Sequence, residues 1–256
     1  MSEAAAVVRR SVLQDRETLI ATGNFDRLFQ AWHEHAKRWE LKVDGLGEVM
    51  MHQALAGAAL QLAFRAPEES TAWTLNFSTP PANVFVTGGG QHHGITGRYF
   101  DEAVKETGSN RLFVQRSHPQ KQLQHSVLEV EGLDLLGIFE QFFRQSEQVP
   151  ARLLETGRSE YAMVLGLPGS DPEWIDSLQV EDVARVAEAG TPLDERPLFL
   201  HCGCNPEKVA GTLARMFADQ ADDFFGGEPM VEALCPRCGA RHLVDRKMFD
   251  RMVEEL

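Results

Sequence analysis

The sequence predicts an α+β protein: an N-terminal domain of mixed sheet and helices, a short helical linker and a small C-terminal module built on four cysteines. Three observations carry this. Hydrophobic periodicity switches from helical to alternating after residue 70 and back again near residue 133. Two clusters of turn residues, LPGSDP at 167–172 and TPLDERP at 191–197, break the pattern. All four cysteines, Cys202, Cys204, Cys235 and Cys238, lie beyond the second break.

Residues 18–23 (TLIATG) read as a short strand, and Asn24 as a cap for a helix whose apolar face is Phe25, Leu28, Phe29 and Trp32. A second helix, from Leu46 to Phe64, is apolar nearly all round and should be buried. Segments 71–78, 83–87, 95–100, 111–116 and 125–131 alternate as strands do. The loop Thr87–Gly97 carries His92 and His93 among glycines. No lysine follows the glycines as a phosphate-binding loop requires, so both histidines are expected to be solvated hairpin residues. Leu133–Gln148 returns to helical spacing, and 151–156 and 161–166 complete the strands. The expected divisions are 1–167 for the core domain, 168–197 for an acidic helical linker and 198–256 for the cysteine module. Within the module, Pro206–Gln220 has a helical pattern with Val209, Leu213, Met216 and Phe217 inward.

The chain has 256 residues and a formal charge of −13. Such a charge repels phosphate backbones, so nucleic acid is not an expected partner. The longest apolar stretch, around Leu55–Phe64, is too short to span a bilayer, and the N-terminal residues lack the pattern of a secretory signal. The reading is a cytoplasmic protein with no membrane partner. Thiols stay reduced there, so paired cysteines point to metal or redox chemistry before structural disulfides.

The cysteine spacing is C-x-C, thirty residues, then C-x-x-C. Each knuckle supplies two thiolates from one tight turn, and two knuckles close a tetrahedron around zinc. The ligands are thus predicted as Cys202, Cys204, Cys235 and Cys238. His201 and His242 adjoin the knuckles and are expected to be outer partners or exposed. A static structural zinc is the simpler reading of this spacing alone. Cys235-Pro236-Arg237-Cys238 also has thioredoxin-like spacing, but Gly239 follows it and no βαβ unit precedes it. A zinc deaminase needs an H-x-E triplet, which the chain lacks.

The two knuckles, in order and spacing, resemble the heat shock protein 33 family of redox-regulated holdase chaperones. Cys202-Gly203-Cys204-Asn205-Pro206-Glu207-Lys208-Val209 is similar to the family's first knuckle, and Cys235-Pro236-Arg237-Cys238-Gly239 to its second. Far from both, Glu140-Gln141-Phe142-Phe143 and Ser146-Glu147-Gln148-Val149-Pro150 are similar to another family stretch. Three features depart from the pattern: Asn205-Pro206 replaces Ser-Arg, Ser126 replaces glycine, and the linker is short, its first helix reduced to 171–176.

The resemblance implies a chaperone rather than an enzyme, with unfolding client proteins as partners and a homodimer when oxidised. It implies that oxidation of the zinc-bound cysteines to disulfides releases zinc, unfolds the module and exposes apolar surface. Near neighbours in sequence, Cys202 with Cys204 and Cys235 with Cys238, are the expected disulfides. The zinc-binding energy then lost is on the order of 10 kcal/mol in zinc-finger peptides. The alternative function is a constitutive protein-binding adaptor with a purely structural zinc. The linker's few apolar positions, Trp174, Ile175, Leu178, Val180, Val183 and Val186, suggest weak docking on the core.

Overall fold

The computed structural model describes residues 4–90, 93–102, 104 and 108–256. The strands are β1 (Ala6–Leu13), β2 (Thr18–Asn24), β3 (Ser70–Ser78), β4 (Pro81–Gly89), β5 (Gly94–Phe100), β6 (Arg111–His118), β7 (Lys121–Glu129), β8 (Ala151–Gly157), β9 (Glu160–Gly166), β10 (Thr191–Leu200), β11 (Met230–Leu234) and β12 (Arg241–Asp245). The first ten form one sheet in the order β7-β6-β3-β4-β5-β10-β1-β2-β9-β8. Every adjacent pair is antiparallel except β5 and β10, which run parallel through Phe199 opposite Gly94 and Leu200 opposite Ile95. The α+β class with a mixed sheet is as the sequence predicts.

Alternation fixes the register. On β3, Thr71, Trp73, Leu75 and Phe77 face inward while their neighbours stay half-buried. Helix α1 (Asp26–Arg38) buries Leu28, Phe29, Trp32 and Ala36. Phe25 precedes the helix and is itself buried, while Asn24 Oδ1 accepts from the Asp26 N–H at 3.0 Å. Helix α2 (Gly45–Ala63) starts where Asp44 accepts from the Gly47 N–H, and it is buried over most of its length. It lies across the sheet, and Gly57 lets α3 (Leu135–Phe142) approach: a Cβ there would stand 2.6 Å from the Phe139 ring. The chain past α3 continues as a single π-turn, 143–147.

Two segments differ from their sequence reading. Residues 6–13 form β1. Residues 191–197, read as a break, are most of β10, paired with β1 along its length. Its two prolines and three charges hide the strand, and a register shift at Arg10/Ser11 accommodates the irregular pairing.

Helices α4 (Pro172–Ser177) and α5 (Val180–Ala189) follow the LPGSDP turn. Asp171 caps α4 by accepting from Glu173 and Trp174, and Pro172 occupies its first turn. Docking is not weak. Ile175, Leu178, Val183 and Val186 are buried, and three of them cluster with Leu13, Ile20 and Val164 of the sheet. Arg16 covers the Trp174 ring at 5.0 Å; only Val180 points out.

The module comprises α6 (Pro206–Phe217), a 3₁₀ turn, α7 (Ala221–Phe225), the β11–β12 hairpin and α8 (Arg246–Glu254). Val209, Ala210, Ala214, Phe225, Val244 and Phe249 make its own small core. Leu213 and Phe217 are partly buried against that core, as predicted, but Met216 is 67% exposed, at the margin of the stripe made by Ala210, Leu213, Ala214 and Phe217. Among the described residues, no helix is long and apolar enough to cross a membrane.

Candidate metal centre

Strand β10 delivers the first knuckle. Its last residue is Leu200, and the next backbone N–H, of His201, donates to the Ile95 carbonyl at 3.0 Å. Cys202, Gly203 and Cys204 then turn through a left-handed glycine (φ +67°). Asn205 closes the turn by accepting from the Lys208 N–H at 2.8 Å, with Pro206 opening α6. Asn-Pro is a strong helix start, so this departure from the family pattern preserves the knuckle's exit. Lys208 Nζ reaches back to the Gly203 carbonyl at 2.7 Å.

The second knuckle is the turn of the β11–β12 hairpin. The Cys235 N–H donates to the Ala240 carbonyl and the Gly239 N–H to the Cys235 carbonyl, both at 2.8 Å. Gly239 has φ +76°, and a Cβ there would meet Leu41 at 2.7 Å. Only glycine permits both that turn and that approach to the chain after α1.

The knuckles face each other. Cys202 Sγ lies 3.7 Å from Cys235 Sγ, and Cys204 Sγ 3.6 Å from Cys238 Sγ. All four sulfurs fall within 4.8 Å of one another. A tetrahedral tetrathiolate site with metal–sulfur bonds of about 2.3 Å has edges of about 3.8 Å. The four predicted cysteines are therefore brought together as one group positioned to hold a metal ion. Cys235 and Cys238 are buried; Cys202 and Cys204 are half-exposed.

At this separation the thiols do not ionise independently. Hydrogen bonds from the Cys202 and Cys238 thiols, with the N–H groups of Arg237 and Cys238, hold Cys235 far below the ordinary thiol range. The Cys202 thiol, donating to Cys235, is pushed up to about 12. Cys238 is raised by its hydrogen bonds to Cys202 and Cys235, and Cys204 chiefly by burial. The cluster favours one negative charge by itself; four thiolates need a cation among them.

Partners beyond the cysteines come from the core domain. His35 Nε2 meets the Cys238 carbonyl at 2.8 Å. Trp39 packs against the cysteine group. Arg98 of β5 lies close enough that the charges of Cys238 and Cys235 partly offset the lowering of its pKa by burial. None of the three was identified from the sequence: they lie more than a hundred residues from the knuckles, and no local spacing marks them. His242 Nε2 is 3.3 Å from Cys204 Sγ, an outer partner as expected. The His201 side chain is exposed. Of the histidines in the glycine loop, His92 lies outside the described residues. His93 is half-buried, and its carbonyl accepts from the Phe199 N–H at 3.1 Å, so it belongs to the β5–β10 seam.

No family model matches the chain. It is 25% identical to the 33 kDa chaperonin of Aliivibrio salmonicida over an alignment of 280 positions, covering 93% of each protein. It is 22% identical to the 33 kDa chaperonin of Edwardsiella ictaluri over 180 residues, 59% of this chain and 61% of that protein. The fold matches the crystal structure of the 33 kDa chaperonin (heat shock protein 33 homolog) of Thermotoga maritima with a TM-score of 0.74, across 98% of each chain at 17% identity. Alignment along most of the chain, a shared fold and the four-cysteine group bear out the resemblance read from the sequence: this chain is similar in sequence and in fold to proteins of the heat shock protein 33 family.

Proposed function

We propose that the protein is a cytoplasmic, ATP-independent holdase chaperone, not an enzyme, whose client binding is switched on by oxidation of Cys202, Cys204, Cys235 and Cys238. The observation that carries this is the closed four-sulfur group seated on the core domain through His35 and Trp39. The relatives' name, 33 kDa chaperonin, supports the chaperone reading.

The ion is proposed to be zinc, which suits an all-sulfur tetrahedral donor set and when bound would keep all four sulfurs as thiolates. The half-exposed Cys202 and Cys204 are open to oxidant, while Cys235 and Cys238 are screened by burial. A thiolate sulfur attacks the O–O bond of a peroxide, giving a sulfenic acid and hydroxide. A second cysteine thiolate then attacks the sulfenic sulfur, forming the disulfide and releasing a second hydroxide, which solvent protonates. Each disulfide thus consumes one peroxide, gives up two electrons to it, and removes two ligands. The proposed products are Cys202–Cys204 and Cys235–Cys238.

With its ligands gone, the knuckle pair no longer holds the module beyond β10 against α1. Separation uncovers Trp39 and Leu41 on the core and loosens the module, supplying apolar surface for unfolding clients. In this scheme 1–167 acts as the core, 168–197 as the linker and 198–256 as the switch, except that β10 (Thr191–Leu200) stays in the core sheet, and the oxidised form is a homodimer.

A second reading has an observation in its favour. The module's own core, with Phe217 stacked on Phe224 at 4.7 Å and Phe224 on Phe249 at 5.9 Å, is independent of the cysteines. If it survives metal loss, the protein is a constitutive adaptor with a structural zinc. Aggregation of a thermally unfolding client, followed by light scattering with reduced and oxidised protein side by side, separates them. The switch requires suppression by the oxidised form and little by the reduced form. Equal suppression in both states overturns it.

A further inference from the structure

Helices α1 and α2 bring three ligand atoms together well away from the cysteines in sequence. Glu48 and His52 are one turn apart on α2, so their side chains leave the same face. His33 of α1 stands opposite. His33 Nε2 lies 3.1 Å from His52 Nε2 and 3.4 Å from Glu48 Oε1, and the three atoms fall within 4.8 Å of one another. Metal–nitrogen bonds of about 2.0–2.1 Å in a tetrahedron give ligand edges of about 3.3 Å. The observed separations bracket that edge.

The site is braced on one side and open on the other. The His52 ring stacks on Phe29 at 4.0 Å between centroids, 8° from parallel, and sits edge-on to Trp32 at 6.2 Å. Phe29 and Trp32 are buried core residues, so the imidazole's orientation is set by packing rather than by an ion. Burial, and then His33, lower the pKa of His52, favouring the neutral form that binds metals. His33 and Glu48 are 43% and 49% exposed, which gives an ion an entry path and leaves a coordination position for water. Two facing Nε2 atoms can share only one hydrogen, so without a cation one imidazole must donate to the other.

We propose that His33, Glu48 and His52 form a second divalent-metal site, of the two-histidine, one-carboxylate type, for a first-row transition ion such as zinc or cobalt. Its nitrogen and oxygen donors distinguish it from the four-sulfur centre, and it does not depend on the proposed function.

The test uses the full chain, reduced, with the cysteine site first filled by one equivalent of zinc and then equilibrated with Co²⁺. The expected result is one retained zinc plus one bound cobalt, showing d–d absorption without a thiolate-to-cobalt charge-transfer band. His33→Ala, at an exposed position, should lose the cobalt and keep the zinc; His52→Ala should do the same. Failure of wild type to bind a second equivalent overturns the proposal. So does retention of that equivalent, with unchanged affinity, in His33→Ala.

Discussion

His35 of α1 donates its Nε2–H to the carbonyl oxygen of Cys238, 203 positions later in the chain, over 2.8 Å. A carbonyl can only accept, so this contact fixes the proton on Nε2. It is the one hydrogen bond described here from a core-domain side chain to a cysteine residue of the knuckles. His35→Ala should leave the sheet intact and speed metal transfer to a chromogenic chelator about 5- to 10-fold, matching the ~1 kcal/mol of an average hydrogen bond. An unchanged transfer rate would show that the seam does not restrain the centre.

The reduced chain should hold one zinc through its cysteines in a preparation kept free of other added metals. Replacing any one of the four with serine should weaken binding more than about 100-fold, since loss of an outer partner alone costs about 10- to 100-fold. His242→Ala, removing the contact to Cys204, should fall in that lower range. Metal analysis of the purified variants checks both, and a zinc count near zero in the reduced wild type contradicts the proposed centre.

Oxidation has a geometric competitor to the proposed pairing. In the folded site the cross-knuckle sulfurs, Cys202 to Cys235 and Cys204 to Cys238, are the ones in contact. Once the module opens, closing a loop of more than thirty residues costs more entropy than closing one of three or four, so exchange should favour Cys202–Cys204 and Cys235–Cys238. Peptide mapping over time should find cross-knuckle bridges early and local ones at equilibrium. Persistent cross-knuckle bridges would show that the module never opened.

The linker should outlast the metal. Ile175, Leu178, Val183 and Val186 are fully docked, and burying each such side chain contributes about 1.5–3 kcal/mol. Their principal contacts are with β1, β2, β8 and β9 rather than with the module. Hydrogen exchange after chelation should therefore show loss of protection across 205–256 while 173–189 stays protected at moderate temperature. Simultaneous loss in both would mean that the linker follows the metal directly.

Asp194 on β10 should give a pH signature for the pairing of β10 with β1. Its carboxylate is held below the usual range by hydrogen bonds from Arg10 in the first place, with Arg196 adding to them. A depressed folded-state pKa contributes stability above about pH 4, the unfolded value, and loses it as pH falls through the folded one. Asp194→Asn should thus lower stability at neutral pH, by no more than about 1 kcal/mol for so exposed a pair. Urea melts of the two proteins should converge in acid. A difference that persists below pH 3 would assign the effect to packing instead.

What the sequence conveyed, and what it hid, follows from where the information sits. Trp73, Leu75 and Phe77 alternate, and Leu46–Phe64 is apolar throughout, so those elements declare themselves. The four ligands are equally plain because each knuckle is local. Strand β10 was missed because TPLDERP presents prolines and charges where a strand presents alternation. Strand β1 was missed because Arg9 and Arg10 interrupt AVVRRSVL, although Ala6 and Val8 face inward. The partners of the centre, His35, Trp39 and Arg98, are placed by tertiary packing, which leaves no periodic trace. Linker docking is stronger than the sequence suggests because three well-placed side chains, Ile175, Leu178 and Val186, suffice when the sheet already offers Leu13, Ile20 and Val164 to meet them.

The placement of β10 sets an order on biosynthesis. The two halves of the large sheet meet only across this strand, which lies between β1, translated well before it, and β5. A nascent chain that has reached residue 190 owns nine of the ten strands, yet carries unpaired edges on β1 and β5 besides those of β7 and β8 that remain in the finished sheet. The sheet closes only as residues 191–200 emerge from the ribosome, directly ahead of Cys202. Completion of the scaffold and arrival of the first sulfur ligands are consecutive events on one stretch of chain, so the centre is assembled against a core that has only just sealed.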